Sequence, residues 1–310
     1  AATQAWHGLG WEPQWFSEIE KFPSAVLQHH YPNVPNLGDM TTIRKHPIHG
    51  KENSISLMVG GTPCQSFSVA GIRKGLDDER GNLSLEFCRI ADKIKPKWLL
   101  WENVPGVLSS GGGEDFRSII EAFTEIGYGV AWRVLDAQYF GLAQRRKRIF
   151  VVGYLGDWRP AQAVLFERES LLGNTPPSRS NGEYLTGEIE DEVVVNVEET
   201  IIKLANTKSE GRNISEKGIC YTLDASGSCN QAVHDGGENS RAPRKLTPVE
   251  CERLQGFPDN YTRIPWRGKA VEDCPDGRRY KAIGNSMAVP VMRWIGERIQ
   301  MVEDIIEESK

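Results

Sequence analysis

The chain has 310 residues, 39% hydrophobic and 25% charged, with a formal net charge of −5. No apolar run approaches the ~20 residues needed to cross a bilayer, and no signal peptide is visible, so we expect a cytoplasmic protein with a sizeable core. Its six cysteines are scattered without a CxxC pair, which argues against a disulfide framework or a zinc site.

The acidic total counts against a nucleic-acid binder, but the charge is unevenly distributed. Basic residues cluster at 144–148, 241–245 and 277–281, whereas the C-terminal segment is acidic. A phosphate-binding face needs only local basic clusters, so nucleic acid remains a possible partner.

The first half of the chain alternates strand-like and helix-like segments. Apolar alternation or short buried runs predict strands, and apolar residues at helical spacing predict helices. The predicted strands are 14–19, 55–60, 97–103, 130–137 and 148–155, and the predicted helices are 22–30, 82–95 and 114–127. This order favours a doubly wound α/β sheet.

The composition changes after about residue 158 and becomes rich in Gly, Pro, Ser and acidic residues. Short strand-like runs at 193–197 and 219–223 predict a small, mostly β or irregular region. A final helix carries Val291, Trp294, Ile295, Ile299 and Val302 on one face. We predict a first domain over 1–158, a second over 159–282, and a segment 283–310 that packs back on the first.

Three polar residues fall at or near predicted strand ends, where open α/β sheets bind ligands: Glu18, Cys64 and Glu102. Burial at the end of an apolar strand would raise the pKa of Glu102, and a thiol nearby suggests covalent catalysis with acid assistance. A lone Cys is more often a small core residue, and a lone Glu can cap a turn. Position alone leaves both interpretations open.

The order of five motifs narrows the choice. They are "GGTPCQSFSVAG", "WENVPGVL", "AQRRKRIFVVG", "RKLTPVECERLQGFPDNYT" and "YKAIGNSMAVPV". Together they resemble the cytosine-5 DNA methyltransferases over almost the whole chain except residues 160–240. The resemblance implies a Rossmann-like, S-adenosylmethionine-dependent methyltransferase sheet with a small, mostly β target-recognition domain. It also implies a monomer that acts on duplex DNA in restriction-modification or phage and host DNA protection, with a possible cognate restriction endonuclease.

The resemblance assigns catalytic roles to residues of the first three motifs. Cys64 matches the thiolate that adds to carbon 6 of a flipped cytosine, which makes carbon 5 nucleophilic. Glu102 matches the acid at ring nitrogen 3, and Asn103 helps to position its segment. Arg146 matches the arginine that approaches the ring oxygen, and Arg148 matches its companion.

The resemblance also implies a cofactor pocket. In dinucleotide-type folds an acid takes the ribose hydroxyls, and Glu18 fits that position. The family's glycine-rich loop would precede Ala1, so we expect a fragment or a trimmed chain. If the chain is instead the complete polypeptide, we expect badly weakened cofactor binding. The expected contacts are Glu18, Ile19, Asp39, Met40, Pro63, Leu83, Asn285 and Ser286.

DNA contacts are expected from two regions. Residues 65–82 resemble the family's mobile loop, which makes Ser68, Arg73 and Arg80 candidates. The variable region 160–243 should read the target sequence, and Thr222 and Leu223 resemble a landmark of that region.

Three alternatives remain open. A relative that methylates transfer RNA shares the catalytic motifs, although the long variable region favours DNA. A catalytically impaired DNA-binding fragment would explain the missing loop, and an NAD dehydrogenase would leave Cys64 unexplained. The basic residue Arg253 is expected more often in an internal salt bridge than on DNA.

Overall fold

The computed structural model describes residues 1–45, 55–62, 83–166, 200–203, 213–215, 231–234 and 244–309. Its main sheet has four strands in the order β1-β2-β4-β3. Strands β1 and β2 are parallel, whereas β4 runs antiparallel to both of its neighbours. The strands are β1 (Leu57–Gly61), β2 (Trp98–Asn103), β3 (Tyr128–Asp136) and β4 (Lys147–Leu155).

Eight α-helices are found in the described ranges. They are α1 (Ala2–Trp6), α2 (Lys21–His30), α3 (Leu83–Ile94), α4 (Glu114–Glu125), α5 (Arg159–Leu165), α6 (Pro248–Leu254), α7 (Asp276–Asn285) and α8 (Val289–Glu308). Short 3-10 turns lie at His7–Leu9, Met40–Lys45, Pro105–Leu108, Ser110–Gly113, Ala137–Tyr139 and Val271–Asp273.

The side chains of β2 alternate between two apolar cores, as the period of a strand requires. Trp98 and Leu100 join the core formed with α1, α5 and α8. Leu99 and Trp101 join the core formed with α3 and α4. Helices therefore cover both faces of the sheet, which confirms the predicted α/β class, although the sheet itself is mixed.

The C-terminal helix packs on the sheet through its predicted face. Val291, Ile295 and Ile299 are buried, and Trp294 and Val302 pack against the same core. Helix α1 reaches α8 as well, because the Trp6 indole nitrogen donates to the Met292 carbonyl at 2.6 Å. A Cβ at Gly296 would lie 2.2 Å from that nitrogen, so only glycine permits this approach.

One predicted strand is wrong. Residues 14–19 form no strand, and Phe16 makes only an isolated parallel bridge to Asn36. The partner segment contains Pro35, which has no backbone N–H to donate and so cannot extend a ladder.

A second, antiparallel sheet has the order β6-β5-β7-β8, in agreement with the β character expected beyond residue 158. Its strands are β5 (Thr200–Lys203), β6 (Asn213–Ser215), β7 (Gln231–His234) and β8 (Arg244–Lys245). The runs predicted at 193–197 and 219–223 lie outside the described residues. The predicted domain boundaries stay predictions. Helix α5 begins at the predicted boundary between residues 158 and 159, and it packs within the core of the main sheet.

No helix in the described part of the chain has the length and apolar character required to cross a membrane.

Candidate active site

Glu102 lies near the end of β2, where the parallel strand β1 also ends. In the register of the two strands Gly61 pairs with Glu102. Because parallel strands end at the same edge, the segment that follows β1 leaves the sheet beside this carboxylate. That segment begins with Thr62, and Pro63 and Cys64 come next but lie outside the described residues.

The Glu102 carboxylate is paired with Arg148 from β4. Arg148 Nε lies 3.1 Å from Glu102 Oε1, and the two side chains are only 16% and 13% exposed. Burial raises the pKa of Glu102, and the positive charges of Arg148 and Arg146 oppose that rise. The carboxyl therefore holds its proton to a higher pH than an exposed glutamate does.

Gly61 leaves the space that the carboxylate occupies. A Cβ at this position would lie 2.8 Å from Glu102 Oε2 and 3.2 Å from the Met287 methyl carbon. Real Cβ atoms do not come as close as the first distance, so a side chain at Gly61 would force the Glu102 carboxylate to move, whereas a Cβ at Gly60 would meet the Phe87 ring. The two glycines are evident in the sequence, but only the structure shows which side chains lie against them.

Hydrogen bonds fix the residue that leads into the Pro63–Cys64 segment. Asn103 Nδ2 donates to the Thr62 carbonyl at 3.0 Å, and the Trp101 indole donates to the Thr62 hydroxyl at 2.9 Å. The Thr62 and Ser84 hydroxyls are 2.7 Å apart. The end of β1 is thus tied to both β2 and α3.

Arg146 is buried and turned toward the chain between α7 and α8. Its Nη2 donates to the carbonyls of Gly284 at 3.0 Å and Ser286 at 2.7 Å. Burial and the neighbouring Arg148 lower the pKa of Arg146 to about 9. The arginine paired with Glu102 is therefore Arg148, and Arg146 is held by backbone carbonyls.

Two of the expected cofactor residues lie on neighbouring segments. The Glu18 amide donates to Asn36 Oδ1 at 2.9 Å, and Asn36 Nδ2 returns a bond to the Glu18 carbonyl at 3.0 Å. The Ser17 hydroxyl donates to the Gly38 carbonyl at 2.8 Å, next to Asp39. Glu18 is half-buried, and burial raises its pKa.

The other expected cofactor residues have varied surroundings. Ile19 is 70% exposed and follows Glu18 in the chain, so an apolar side chain is presented to solvent next to a half-buried carboxylate. Met40 packs against the core, Leu83 begins α3, and Asn285 and Ser286 lie at the end of α7. The expected contacts Pro63, Ser68, Arg73, Arg80, Thr222 and Leu223 lie outside the described residues.

Sequence reasoning missed two buried glutamines. Gln144 is fully buried, and its amide forms no hydrogen bond to any described residue. Gln255 is also fully buried and donates through Nε2 to the Ile283 carbonyl at 3.2 Å. Both stand in the motifs quoted above, but nothing in a single sequence indicates their burial.

Arg253 forms the internal ion pair that was expected of it. Its Nε and Nη2 lie 2.7 Å and 2.6 Å from the two carboxylate oxygens of Asp259. No group of three or more His, Cys, Asp or Glu residues that could hold a metal ion occurs within the described ranges.

Solved structures give the class of the fold. The crystal structure of the Schizosaccharomyces pombe Dnmt2 methyltransferase superposes with a TM-score of 0.60 at 17% identity and covers 97% of this chain and 95% of that one. At that identity the match defines the fold alone, which is that of a Rossmann-like methyltransferase.

The sequence gives the family. The model of the "C-5 cytosine-specific DNA methylase" family matches residues 1–301, and the chain belongs to that family. The "Type II methyltransferase M1.ScrFI" of Lactococcus lactis subsp. cremoris is 33% identical, and the match covers 95% of this chain and 72% of that protein.

A phage protein is also similar. The "DNA N-6-adenine-methyltransferase" of Escherichia phage P1 is 35% identical over 448 aligned residues, and the match covers 96% of this chain. The chain spans only 59% of the length of that phage protein.

Proposed function

We propose that the chain acts as a DNA (cytosine-5-)-methyltransferase that transfers a methyl group from S-adenosylmethionine to carbon 5 of cytosine in a short duplex site. The observation that carries this proposal is the buried Glu102–Arg148 pair at the sheet edge where β1 leads into Pro63 and Cys64. Family membership supports the same reaction.

The chemistry explains why these residue types would stand together. The Cys64 thiolate forms a bond to carbon 6 of the cytosine, and the electrons of the carbon 5–carbon 6 double bond move toward carbon 5 and the ring. Glu102, with its raised pKa, donates a proton or hydrogen bond to ring nitrogen 3. Carbon 5 would then bond to the methyl group, and the carbon–sulfur bond to the donor would break with its electron pair left on the donor sulfur. Carbon 5 loses its proton to water, the electrons of that bond re-form the carbon 5–carbon 6 double bond, and the carbon 6–sulfur bond breaks to return the Cys64 thiolate.

The two arginines take different roles in this scheme. Arg148 lies against Glu102 and is the arginine we assign to the ring oxygen. Arg146 is committed to the carbonyls of Gly284 and Ser286, so the role expected of it passes to Arg148.

The cofactor contacts are assigned to the surface around Glu18. Glu18 would hold the ribose hydroxyls, Ile19 would pack on the adenine, and Asp39 would meet its amino group. S-adenosylmethionine supplies an electrophilic methyl group when bound. Met40, Pro63, Leu83, Asn285 and Ser286 complete the proposed pocket.

The substrate proposal is a cytosine swung out of duplex DNA, because carbon 6 cannot be attacked inside the base stack. Ser68, Arg73, Arg80, Thr222 and Leu223 remain proposed DNA contacts. The name of the lactococcal relative supports a role in restriction-modification, with a cognate endonuclease as partner. We propose a monomer.

An assay that identifies the methylated base tests the function. The protein is incubated with labelled S-adenosylmethionine and either duplex DNA or transfer RNA, and the nucleosides are separated by mass spectrometry. We expect 5-methylcytosine in duplex DNA only. Methylated RNA, or N6-methyladenine as in the name of the phage relative, would overturn the proposal.

A further inference from the structure

The end of α7 and the chain that follows it, residues 284–287 (the α7–α8 turn), are held by side chains from distant parts of the sequence. Arg146 donates to the carbonyls of Gly284 and Ser286, and Gln255 donates to the Ile283 carbonyl. The last carbonyls of a helix have no partner within the helix. Arg146 therefore supplies donors to two carbonyls at and just after the end of α7. Gln255 adds a second donor to the Ile283 carbonyl, which also accepts from the Ser286 amide at 3.0 Å.

The other side of the α7–α8 turn reaches the catalytic carboxylate. The Met287 methyl carbon and Glu102 Oε2 lie 3.2 Å and 2.8 Å from the same point, the place of a Cβ at Gly61. Met287 and Glu102 thus flank one glycine. A shift of the turn would move the Met287 methyl group relative to the carboxylate.

Arg146 is itself held rigidly. Its backbone amide donates to Asp136 Oδ1 at 2.9 Å, and its side chain is buried. Asp136, also buried, accepts a second bond from Gln138 Nε2 at 2.7 Å. A guanidinium that is fixed at both its backbone and its head group can fix the carbonyls it binds.

We propose that Arg146 is a positioning residue for the reaction: it holds the α7–α8 turn so that Met287 packs beside Gly61 and keeps the Glu102 carboxylate in place. The residue acts through the turn and does not touch the substrate. The inference rests on the proposed methyltransferase function for its catalytic consequence.

A matched pair of arginine variants tests the proposal. Arg298 also binds backbone carbonyls, those of Ala163 at 2.6 Å and Val164 at 2.5 Å at the end of α5. Arg146→Met and Arg298→Met should lower thermal stability by similar amounts. Below both melting temperatures only Arg146→Met should lose turnover, by about 100-fold, since a displacement of about 1 Å can cost that much. Arg146→Lys should recover part of the loss, because an ammonium can still donate to a carbonyl.

A second readout does not depend on activity. The Met287 methyl resonance, assigned with Met287→Leu in protein labelled at the methionine methyl groups, should shift in Arg146→Met and stay in place in Arg298→Met. If the wild type is active and Arg146→Met and Arg298→Met lose turnover equally, the proposal is overturned. A Met287 resonance that does not move in Arg146→Met also overturns it. If the wild type methylates no DNA, the proposed function is contradicted. In that case the Met287 resonance alone tests whether Arg146 holds the α7–α8 turn.

Discussion

At the scale of single residues, the site depends on the Glu102 carboxylate, whose charge is disfavoured by burial and favoured by the positive charges of Arg148 and Arg146. Glu102 and Arg148 are both largely buried, so neither can be changed without leaving the other in a poorly solvated position. The balance leaves the pKa of Glu102 above that of an ordinary glutamate. This is the direction that a proton donor to cytosine requires.

Glu102→Gln should lower the methylation rate by roughly 100-fold or more, as expected for loss of a general acid. Because the pKa of Glu102 is raised, its acid form persists to higher pH and is lost as pH rises through that pKa. The wild-type kcat should therefore fall on the alkaline side, and Glu102→Gln should lack that fall. The exposed Glu121→Gln is the control and should keep the wild-type profile; a variant at Glu102 with an unchanged rate would contradict the role.

Gly61→Ala should lower activity much more than stability. The new methyl group would lie 2.8 Å from Glu102 Oε2, so the carboxylate must move away from its position. Gly8→Ala is the matched control, since a Cβ there meets nothing within 4 Å. Single-turnover kinetics and thermal melts measure the two effects; equal rates in both variants would argue against a fixed carboxylate.

At the scale of elements, the segment after α6 is organised by one buried carboxylate. Glu252 is fully buried and accepts the backbone amides of Asn260 and Thr262, each at 2.8 Å. It also accepts from Arg279 of α7 at 3.2 Å and from the Thr262 hydroxyl. The motif "RKLTPVECERLQGFPDNYT" thus contributes a structural acid that connects α6 to α7.

Glu252→Gln should destabilise the protein by about 3–5 kcal/mol, because Arg279 would keep a buried charge and lose its buried partner, leaving only the 3.6 Å contact with the exposed Asp276. The neighbouring Arg253→Met removes only the exposed pair with Asp259 and should cost about 1 kcal/mol or less. Urea denaturation measures both values. If Glu252→Gln lowers the free energy of unfolding no more than Arg253→Met does, the structural role of Glu252 is contradicted.

Sequence patterns predicted most elements of the main sheet because each pattern has a local cause. A short, continuously apolar run predicted β2, which lies between two cores, and helical spacing of apolar residues identified α3 and α8. The segment at 14–19 has a strand-like composition, but its partner contains Pro35, so the pairing ends at one bridge. Whether residues 14–19 form a strand depends on the segment they pair with, and that segment is not part of their own sequence pattern.

From its position after an apolar strand, the sequence predicted partial burial of Glu102, and the side chain is largely buried in the structure. The resemblance assigned Arg146 to the ring oxygen and Arg148 as its companion, but nothing in the sequence indicated the different contacts of the two arginines. The two arginines stand two residues apart in one basic cluster. Their roles differ because Arg146 meets carbonyls of residues 284 and 286, far along the chain, while Arg148 meets Glu102 across the sheet. Contacts between such distant segments are set by the fold.

At the scale of the whole molecule, helices α1 and α8, near the two ends of the chain, pack on the sheet that carries the proposed catalytic edge. Helix α8 packs on the same sheet that carries Glu102, and the turn before it reaches Gly61. Family membership and this arrangement both support the proposed chemistry, in which Cys64 would attack a cytosine held beside Glu102. Cys64 is the part of this account that rests on sequence.

The most direct test of the account is covalent trapping on duplex DNA that carries 5-fluorocytosine at the target base, in the presence of S-adenosylmethionine. Since fluorine cannot leave carbon 5 as a proton does, the carbon 6–sulfur bond should persist, and the complex should survive denaturing electrophoresis. Peptide mapping should find the adduct on Cys64, and Cys64→Ser should form none. An adduct on another residue, or a Cys64→Ser variant that methylates DNA at the parent rate, would contradict the central claim.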